Sequence, residues 1–462
     1  MAGQGALIAF VFGSGTRATP ITEAECGQKP AIDSFTRVGR SRRRASLVEL
    51  AMRTFAPVEA YLRRSGFEGM VVKWGDEVQI PTLDLSGSDP RLAGADIVRF
   101  VSMQTITEDT AANKDWVGVD SSGCVRAFIP RRPLSQMAPL ADSGVLQRRG
   151  DALIGGVNLG SVAISGAFAD VLLETFHRDV HDEEAQRSDR PDLDPQLFTA
   201  LTIAALPQAQ RATAWRAARD SAPAMAQLAE LMPSVIERLV AALSMFEQRH
   251  GRPVKLMAMD FGDQYWGDIG QHRSMASFFG ALREDTPGGT IARALAEVPE
   301  LPDARGNRIV GDTHLGPDVT VTDSVLVDAH IHSGEVRDSV LLGTRGGTVT
   351  ATSAFDVGST VSALTLGPRS GGYKIVAAAS IVVDEGERCT SVFLPEGPIL
   401  MRVQESADLR DKPVTYDVPL SPNAISFKDA HAKAMAGDPK MLRQARIRAQ
   451  DRVAQSLRAP RR

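Results

Sequence analysis

Short apolar runs alternate with amphipathic stretches along residues 1–300 of the chain. The runs at Ala6–Phe12, Gly69–Asp76 and Asp96–Val101 are short, which is typical of buried β-strands. Between the first two runs, Ser46–Arg64 has apolar residues at helical spacing, namely Leu47, Leu50, Phe55, Val58 and Leu62. This order of strands and helices predicts an α/β domain.

The following segments predict a hairpin, a long strand and a group of helices. Trp116–Phe128 alternates apolar and polar residues around Ser121-Ser122-Gly123, which predicts a β-hairpin, and Asp151–Ser165 predicts a strand. From residue 178 to 253 the composition shifts to Ala, Arg, Gln and Glu, with helical spacing in Gln208–Arg219 and Met225–Gln248. We expect a helical insertion within the domain. The pattern leaves open whether it is a lid, a dimer surface or a packed addition.

The C-terminal part of the chain repeats itself. Asp323–Leu326 recurs as Asp338–Leu341, and Val319, Val325 and Ile331 are spaced by six residues. Each coil of a solenoid buries its apolar side chains only against neighbouring coils, so this spacing predicts a parallel β-helix of hexapeptide type over Ile309–Leu394. The predicted domains are therefore 1–300, a β-helix at 301–405 and a polar, basic, helix-prone tail at 406–462. Because the ends of a β-helix present unpaired edges, we expect a homo-oligomer.

Bulk properties narrow the class of protein. The chain has 462 residues, which allows two or three domains and a large core. A net charge of −4 gives no reason to expect nucleic acid as a partner. No apolar run reaches the roughly 20 residues of a membrane span, so no membrane association is expected. The three cysteines lack metal-ligand spacing, and no basic segment precedes the first apolar run; both observations favour a cytoplasmic location.

The first apolar run leads into a candidate anion site. Glycines without side chains let backbone N–H groups approach a ligand closely, and successive N–H groups form a concave anion site. Arg17 adds a planar set of donors suited to phosphate oxygens, and Lys29 adds a second positive charge. A triphosphate would use all of these groups, the candidate nucleotide-binding residues being Phe12, Gly13, Ser14, Gly15 and Thr16. The alternative is an ordinary strand-to-loop turn with no ligand.

The longer string G-x-G-T-R-x-x-P-x-T, followed by K-P, resembles the signature of sugar-1-phosphate nucleotidyltransferases, the NDP-sugar pyrophosphorylases. The matching residues are Gly13, Gly15, Thr16, Arg17, Pro20, Thr22, Lys29 and Pro30. The chain departs from the family at Phe12, where the family has another glycine, and Lys29 is slightly further from Arg17 than usual. The resemblance implies a Rossmann-like catalytic domain, with a mixed central sheet and helices on both faces, followed by a left-handed β-helix.

Other segments resemble the family in the same order. The resemblance implies that Asp76 and Asp268, the latter in Trp266–Gly270, bind catalytic Mg²⁺, with Arg17 and Lys29 as catalytic residues. Asp260 and Asp263 compete for the role of Asp268, which could also cap the helix starting near His272. The implied substrate-binding residues are Gly156, Asn158, Arg131 and Arg132; the two arginines stand where the family has Glu-Lys. Asn158 is suited to hydroxyl groups because its amide offers both donors and an acceptor.

The expected function is therefore transfer of a nucleotidyl group from a nucleoside triphosphate to a sugar 1-phosphate, with release of pyrophosphate. An alternative is a regulatory or binding subunit of the same family with a degraded site, which the departures at Phe12 and Arg131-Arg132 favour. A third hypothesis is acyl transfer on the β-helix, with His330 or His332 as general base. The base and the sugar cannot be chosen from the sequence.

Overall fold

The computed structural model describes residues 6–10, 18–39, 43–75, 77–177, 194–221, 223–231, 234–269, 271–407, 409 and 412–458. Within these ranges the strands are, in chain order, β1 Ala6–Phe10, β2 Asp33–Val38, β3 Arg43–Ser46, β4 Gly69–Trp74, β5 Glu77–Ile80, β6 Ile97–Thr105, β7 Trp116–Val119, β8 Val125–Ile129, β9 Gln147–Arg149, β10 Ala152–Ser165, β11 Leu256–Asp260, β12 Tyr265–Asp268, β13 Arg308–Val310, β14 His314–Thr322, β15 Val325–Val327, β16 His330–Arg337, β17 Val340–Leu342, β18 Arg345–Thr352, β19 Phe355–Val357, β20 Thr360–Leu366, β21 Gly371–Tyr373, β22 Val376–Val383, β23 Glu387–Leu394 and β24 Gly397–Gln404.

The helices of the same ranges are α1 Leu47–Arg64, α2 Glu108–Asn113, α3 Ala138–Asp142, α4 Gly166–Thr175, α5 Asp194–Ala204, α6 Gln208–Ser221, α7 Pro223–Leu231, α8 Val235–His250, α9 His272–Gly280, α10 Pro287–Ala296, α11 Lys412–Thr415, α12 Phe427–Ala436 and α13 Pro439–Arg458. The predicted strands and the first helix are therefore present within a few residues of their expected bounds.

The chain divides into two compact units. Unit 1 comprises Met1–Phe12, Ala51–Trp74 and Gln79–Gln264, and unit 2 comprises Gly13–Leu50, Gly75–Val78 and Tyr265–Arg462. Residues 13–50 and 265–300, which the sequence analysis assigned to the catalytic domain, thus belong to the unit that contains the solenoid.

Unit 1 is built on a mixed sheet with the strand order β1-β4-β10-β6-β11. The pairs β1–β4 and β6–β11 are parallel, whereas β10 runs antiparallel to both of its neighbours, β4 and β6. The predicted hairpin is confirmed, because β7 and β8 pair antiparallel with Trp116 opposite Ile129. The expectation of a mixed α/β fold with parallel strands is therefore confirmed for this unit.

The helices of the predicted insertion supply much of the core of unit 1. Buried residues on them include Leu201, Ile203, Leu239 and Phe246. The helical spacing that the sequence shows across Met225–Gln248 is divided between two helices, α7 and α8. The sequence between them contains a proline, which lacks the N–H that a continuous helix needs. The first part of the insertion, residues 178–193, lies outside the described ranges.

Unit 2 contains a parallel β-solenoid, as the sequence predicts. Successive strands alternate between two sheets: one has the order β13-β15-β17-β19-β21-β23-β24 and the other β14-β16-β18-β20-β22. All pairs within them are parallel except the last, β23–β24. The three-residue strands β15, β17, β19 and β21 are buried along their whole length. The solenoid has about six coils.

The six-residue spacing seen in the sequence relates neighbouring strands of the chain, whereas a whole coil is longer. Val325 pairs with Val340, and Val340 pairs with Phe355, so these two coils span 15 residues each, whereas the pairs Phe355–Gly371 and Gly371–Arg388 give coils of 16 and 17 residues. Val319, Val325 and Ile331 lie in three successive strands of the winding chain, which explains their local spacing. Corners that recur with the coil have left-handed backbone conformation, namely Asp323, Asp338, Ser353 and Arg369. The repeated Asp-Ser-Val-Leu therefore marks a corner followed by a buried strand.

The segment Asp429–Arg458 of the C-terminal tail, which the sequence predicts to be helical, lies in the helices α12 and α13. Helix α13 packs on the solenoid: Gln450 Nε2 donates to Gly358 O at 3.3 Å, and Leu442 and Val453 are buried. Within the ranges given above, no helix is both long and apolar enough to cross a membrane.

Candidate functional site

Two parallel strands of unit 1 end side by side. The register of β1 and β4 runs from Ala6 opposite Met70 to Phe10 opposite Trp74. In open α/β sheets, ligands bind beyond the carboxyl ends of such strands. Along the sequence, the Gly-Ser-Gly string follows shortly after Phe10, and Asp76 follows shortly after Trp74. The predicted residues Phe12, Gly13, Ser14, Gly15, Thr16, Arg17 and Asp76 themselves lie outside the described ranges.

The segment Asn158–Gly160 of β10 lies beside the carboxyl end of β4. A register shift in the β10–β6 pairing begins at Asn158. Gly160 has φ of +76°, and a Cβ there would lie 2.6 Å from Trp74 Nε1, so both the conformation and the space require glycine. The N–H of Gly160 donates to Asn158 Oδ1 at 3.4 Å. This local geometry fixes the Asn158 side chain near the end of the parallel pair.

A buried arginine contacts this segment. Arg99 on β6 is 1% exposed, and its Nη2 donates to Asn158 Oδ1. In the part of the chain that the structure describes, Nε and Nη1 of Arg99 have no hydrogen-bond acceptor. Burial lowers the pKa of Arg99 to about 10, so the guanidinium remains charged at neutral pH. A buried cation with open donors is costly unless it is compensated, and an anionic ligand would compensate it.

Arg99 is absent from the set of residues that the sequence analysis selected. A signal exists in the sequence, because Arg99 interrupts the apolar run Ile97-Val98-Arg99-Phe100-Val101. Arginine is rarely fully buried unless paired, so a charged residue within a strand of this kind indicates either an exposed edge or a functional role.

The other predicted substrate-binding residues of unit 1 differ in their surroundings. A Cβ on Gly156 would lie 2.8 Å from the Cβ of Val101, so this glycine permits close packing of β10 against β6. Arg131 Nε lies 3.6 Å from Asp115 Oδ1, and Asp115 O accepts the N–H of Asn158 at 3.0 Å. Arg131 therefore contacts Asp115, and the backbone of Asp115 in turn contacts Asn158.

Arg132 has a more local environment. Its Nε donates to Pro130 O at 3.2 Å, and its N–H donates to Ala111 O at 3.1 Å. Burial lowers the pKa of Arg132. These contacts indicate that Arg132 stabilises the loop to which it belongs.

Lys29 and Asp268 belong to unit 2. Lys29 is 7% exposed and begins a short 3₁₀ turn, Lys29–Ala31. Asp268 is the last residue of β12, and its side chain is outside the description. The N-cap position of α9 is Gln271, three residues after Asp268.

Of the two competing aspartates, Asp260 has a structural role. It ends β11, and its Oδ1 accepts the N–H groups of Met103 and Gly262, each at 2.9 Å. Asp263 is exposed in the turn that follows. Both residues belong to unit 1, whereas Asp268 does not.

Unit 2 has an open groove of about 970 Å³ lined by several basic residues. Two of these residues, Lys374 and Arg446, are paired with acidic residues: Lys374 Nζ lies 2.5 Å from Glu25 Oε1 and 2.8 Å from Asp33 Oδ2. Arg446 Nη1 lies 3.2 Å from the same oxygen of Glu25. Burial alone would raise the pKa of Glu25, but the charges of Lys374 and Arg446 lower it. The paired charges favour a structural role for this part of the groove.

Comparison with known proteins leaves the family open. The sequence matches no protein-family model and no curated protein. The resemblance to sugar-1-phosphate nucleotidyltransferases therefore rests on the motifs of this sequence alone.

Proposed function

We propose that the protein is a Mg²⁺-dependent nucleotidyltransferase that joins a nucleoside triphosphate to a sugar 1-phosphate and releases pyrophosphate. The observation that best supports the proposal is the register of β1 and β4, which end together immediately before the two predicted ligand-binding segments. The chemistry needs little acid–base catalysis, because positioning and charge neutralisation carry most of phosphoryl transfer.

Each part of the substrate has a proposed partner in the chain. The backbone of Gly13–Gly15, together with Arg17 and Lys29, would hold the triphosphate, and a sugar-phosphate oxygen would attack the α-phosphorus in line. Asn158 offers its amide to sugar hydroxyls, while the open donors of Arg99 supply positive charge beside it. Bound Mg²⁺, for which Asp76 and Asp268 are the proposed ligands, would neutralise phosphate charge.

A regulatory or binding subunit of the same class is the second candidate. It is favoured by the partners of two predicted substrate-binding residues, because Asn158 Oδ1 accepts from Arg99 and Arg131 faces Asp115. Such a subunit would bind nucleotide without turnover. A homo-oligomeric state and a cytoplasmic location remain predictions under either function.

The test combines nucleotide binding with pyrophosphate release across a panel of nucleoside triphosphates and sugar 1-phosphates. Arg99→Met should lower kcat/KM by roughly 10²-fold, the scale of losing one preorganised donor in a charged site. Arg126→Met is the matched control, because Arg126 is half exposed and pairs with Asp120 on the same unit. If the protein binds a nucleotide but releases pyrophosphate with none of the combinations of nucleoside triphosphate and sugar 1-phosphate, the result favours the regulatory subunit. If it binds no nucleotide in the presence of Mg²⁺, both candidates are rejected.

A further inference from the structure

Three metal-ligating side chains meet on the outside of the solenoid. Nδ1 of His314 lies 3.4 Å from Asp312 Oδ1, and Nε2 of His330 lies 3.3 Å from Asp312 Oδ2. One ligand atom from each of the three residues lies within 4.8 Å of the other two. The imidazole centroids of His314 and His330 are 4.8 Å apart. None of these residues belongs to the site proposed for nucleotidyl transfer.

The backbone of the solenoid holds the three residues in place. His314 and His330 begin β14 and β16 and are paired residues of the parallel ladder, so their side chains leave the same face of adjacent coils. Their N–H groups donate to Ala329 O and Thr344 O, each at 2.8 Å. The N–H of Asp312 donates to Asp328 Oδ1 at 2.8 Å, which fixes the corner just before His314. The cluster is therefore built on two rigid strands and an anchored corner.

We propose that Asp312, His314 and His330 bind one divalent transition-metal ion of the Zn²⁺ type. Zinc takes imidazole nitrogen and carboxylate oxygen at about 2.0–2.2 Å, which at tetrahedral angles places neighbouring ligand atoms about 3.4 Å apart. The two histidine nitrogens already lie at about this distance from the Asp312 carboxylate, His314 from Oδ1 and His330 from Oδ2, so the carboxylate would face the ion with both oxygens. Small side-chain rotations that bring the two imidazole nitrogens together complete the set.

The ligand types determine which ion the site prefers. Two imidazoles and one carboxylate suit Zn²⁺, Ni²⁺ and Cu²⁺, whereas Mg²⁺ and Ca²⁺ prefer sites made of oxygen atoms. The site is thus chemically distinct from the Mg²⁺ site of the proposed reaction. Three protein ligands leave a fourth position for water or an external ligand. The bound ion would also tie together the coils that contain β14 and β16.

The test of the proposal is Zn²⁺ binding to the full-length protein. The protein carries no affinity tag, is first treated with a chelator, and is titrated in the presence of excess Mg²⁺. Calorimetric titration should detect one Zn²⁺ site per chain that His314→Ala and His330→Ala each weaken by about 100-fold or more, since loss of a ligand costs at least as much as loss of its supporting contacts. Asp312→Asn keeps the shape of the side chain but removes its charge, and should also weaken binding.

His332→Ala is the matched control, because His332 lies on β16, is exposed and is outside the cluster. It should bind Zn²⁺ as the wild type does. Zn²⁺ should also raise the Tm of the wild type and of His332→Ala, but not that of His314→Ala. Cys26 and Cys124 are partly exposed, so any zinc that they bind appears equally in every variant. Equal Zn²⁺ affinity in the wild type, His314→Ala and His330→Ala, each with an intact melting transition, would overturn the proposal.

Discussion

In the solenoid of unit 2, the buried hydroxyl groups of Ser324 and Ser339 bond to the next coil, whereas in the sheet of unit 1 two donors of the buried Arg99 guanidinium have no acceptor within the described ranges. Ser324 Oγ accepts the N–H of Ser339, and Ser339 Oγ accepts the N–H of Ala354, each at 3.1 Å. Arg99 has Asn158 as its partner, while Nε and Nη1 have no acceptor within the described ranges. Repetition supplies these partners between successive coils, although Ser370 Oγ at the corresponding later corner has none within the described ranges, and the irregular register beside Asn158 offers no repeated partner.

This difference helps to separate structural from functional polar groups. A buried polar group that is fully hydrogen-bonded specifies its fold, and removing its partner costs the full desolvation penalty. A buried charge with open donors costs stability and persists for another reason, of which ligand binding is the simplest. The comparison therefore predicts a large loss of stability when the hydrogen-bonded group of the solenoid is removed and only a small change when Arg99 is replaced by an apolar residue.

The largest effect is expected at Asp356, a fully buried residue of the solenoid. Its carboxylate accepts from Thr344 Oγ1 at 2.5 Å and from Ser359 Oγ at 2.6 Å. Asp356→Ala leaves both hydroxyl groups without their acceptor, so the free energy of unfolding should fall by about 3 kcal/mol. Urea unfolding measures the change, and a loss below about 1 kcal/mol would contradict the structural role of this network.

Asp356→Asn is the control, because it keeps an acceptor oxygen and removes the charge. Burial raises the pKa of Asp356 above its ordinary value, so between the two pKa values the folded state binds more protons than the unfolded state. The contribution of Asp356 to stability is therefore most favourable below its pKa in the unfolded chain, and it is lost as the pH rises through its pKa in the folded protein. Relative to wild type, Asp356→Asn should gain stability with rising pH across this window.

The next effect is expected at Gly160, next to Asn158. Alanine there must adopt a φ of +76° and displace the Trp74 indole, which together should cost about 2 kcal/mol. Gly166→Ala is the matched control, since a Cβ at this first residue of α4 meets nothing within 4 Å. Urea unfolding of both variants gives the comparison, and equal stability of the two would show that the backbone beside Asn158 is not constrained as described.

A smaller effect on stability is expected at Arg99. Arg99→Met removes one hydrogen bond, but it also removes the cost of burying the charge, so the free energy of unfolding should stay within about 1 kcal/mol of wild type. The measurement is again urea unfolding. A loss as large as that of Asp356→Ala would mean that Arg99 supports the fold, which would remove the contrast between the two units.

The sequence predicts the solenoid well because the solenoid is repetitive. The recurrence of Asp323–Leu326 at Asp338–Leu341 identifies two neighbouring coils, and the structure pairs Val325 with Val340 in the same register. The six-residue spacing describes residues of successive strands, whereas the coil length of 15 to 17 residues depends on where the corners close. Only the pairing of strands defines that length.

Unit 1 is less predictable because its contacts join distant segments. The strand before Asp76 was evident from its apolar run, but its position beside β1 is a property of the folded sheet. Arg99 and Asn158 are 59 residues apart, and nothing local in the sequence links them. The apolar pattern around Arg99 predicts that the strand is buried, but it does not predict which groups contact the Arg99 guanidinium.

The smallest effect is expected at His431, where a polar contact of unit 2 is sensitive to pH. His431 Nδ1 lies 3.0 Å from Oε2 of the buried Glu23, and this hydrogen bond raises the pKa of His431 against the opposing effect of burial. A raised pKa contributes stability that is complete below the unfolded value near 6.5 and disappears as pH rises through the folded value. His431→Gln should therefore be less stable than wild type by about 0.5–1 kcal/mol in mild acid, with the difference shrinking above the folded pKa. Urea unfolding across that pH range tests this, with His332→Gln as control, and parallel profiles for wild type and His431→Gln would exclude the contact as a source of stability.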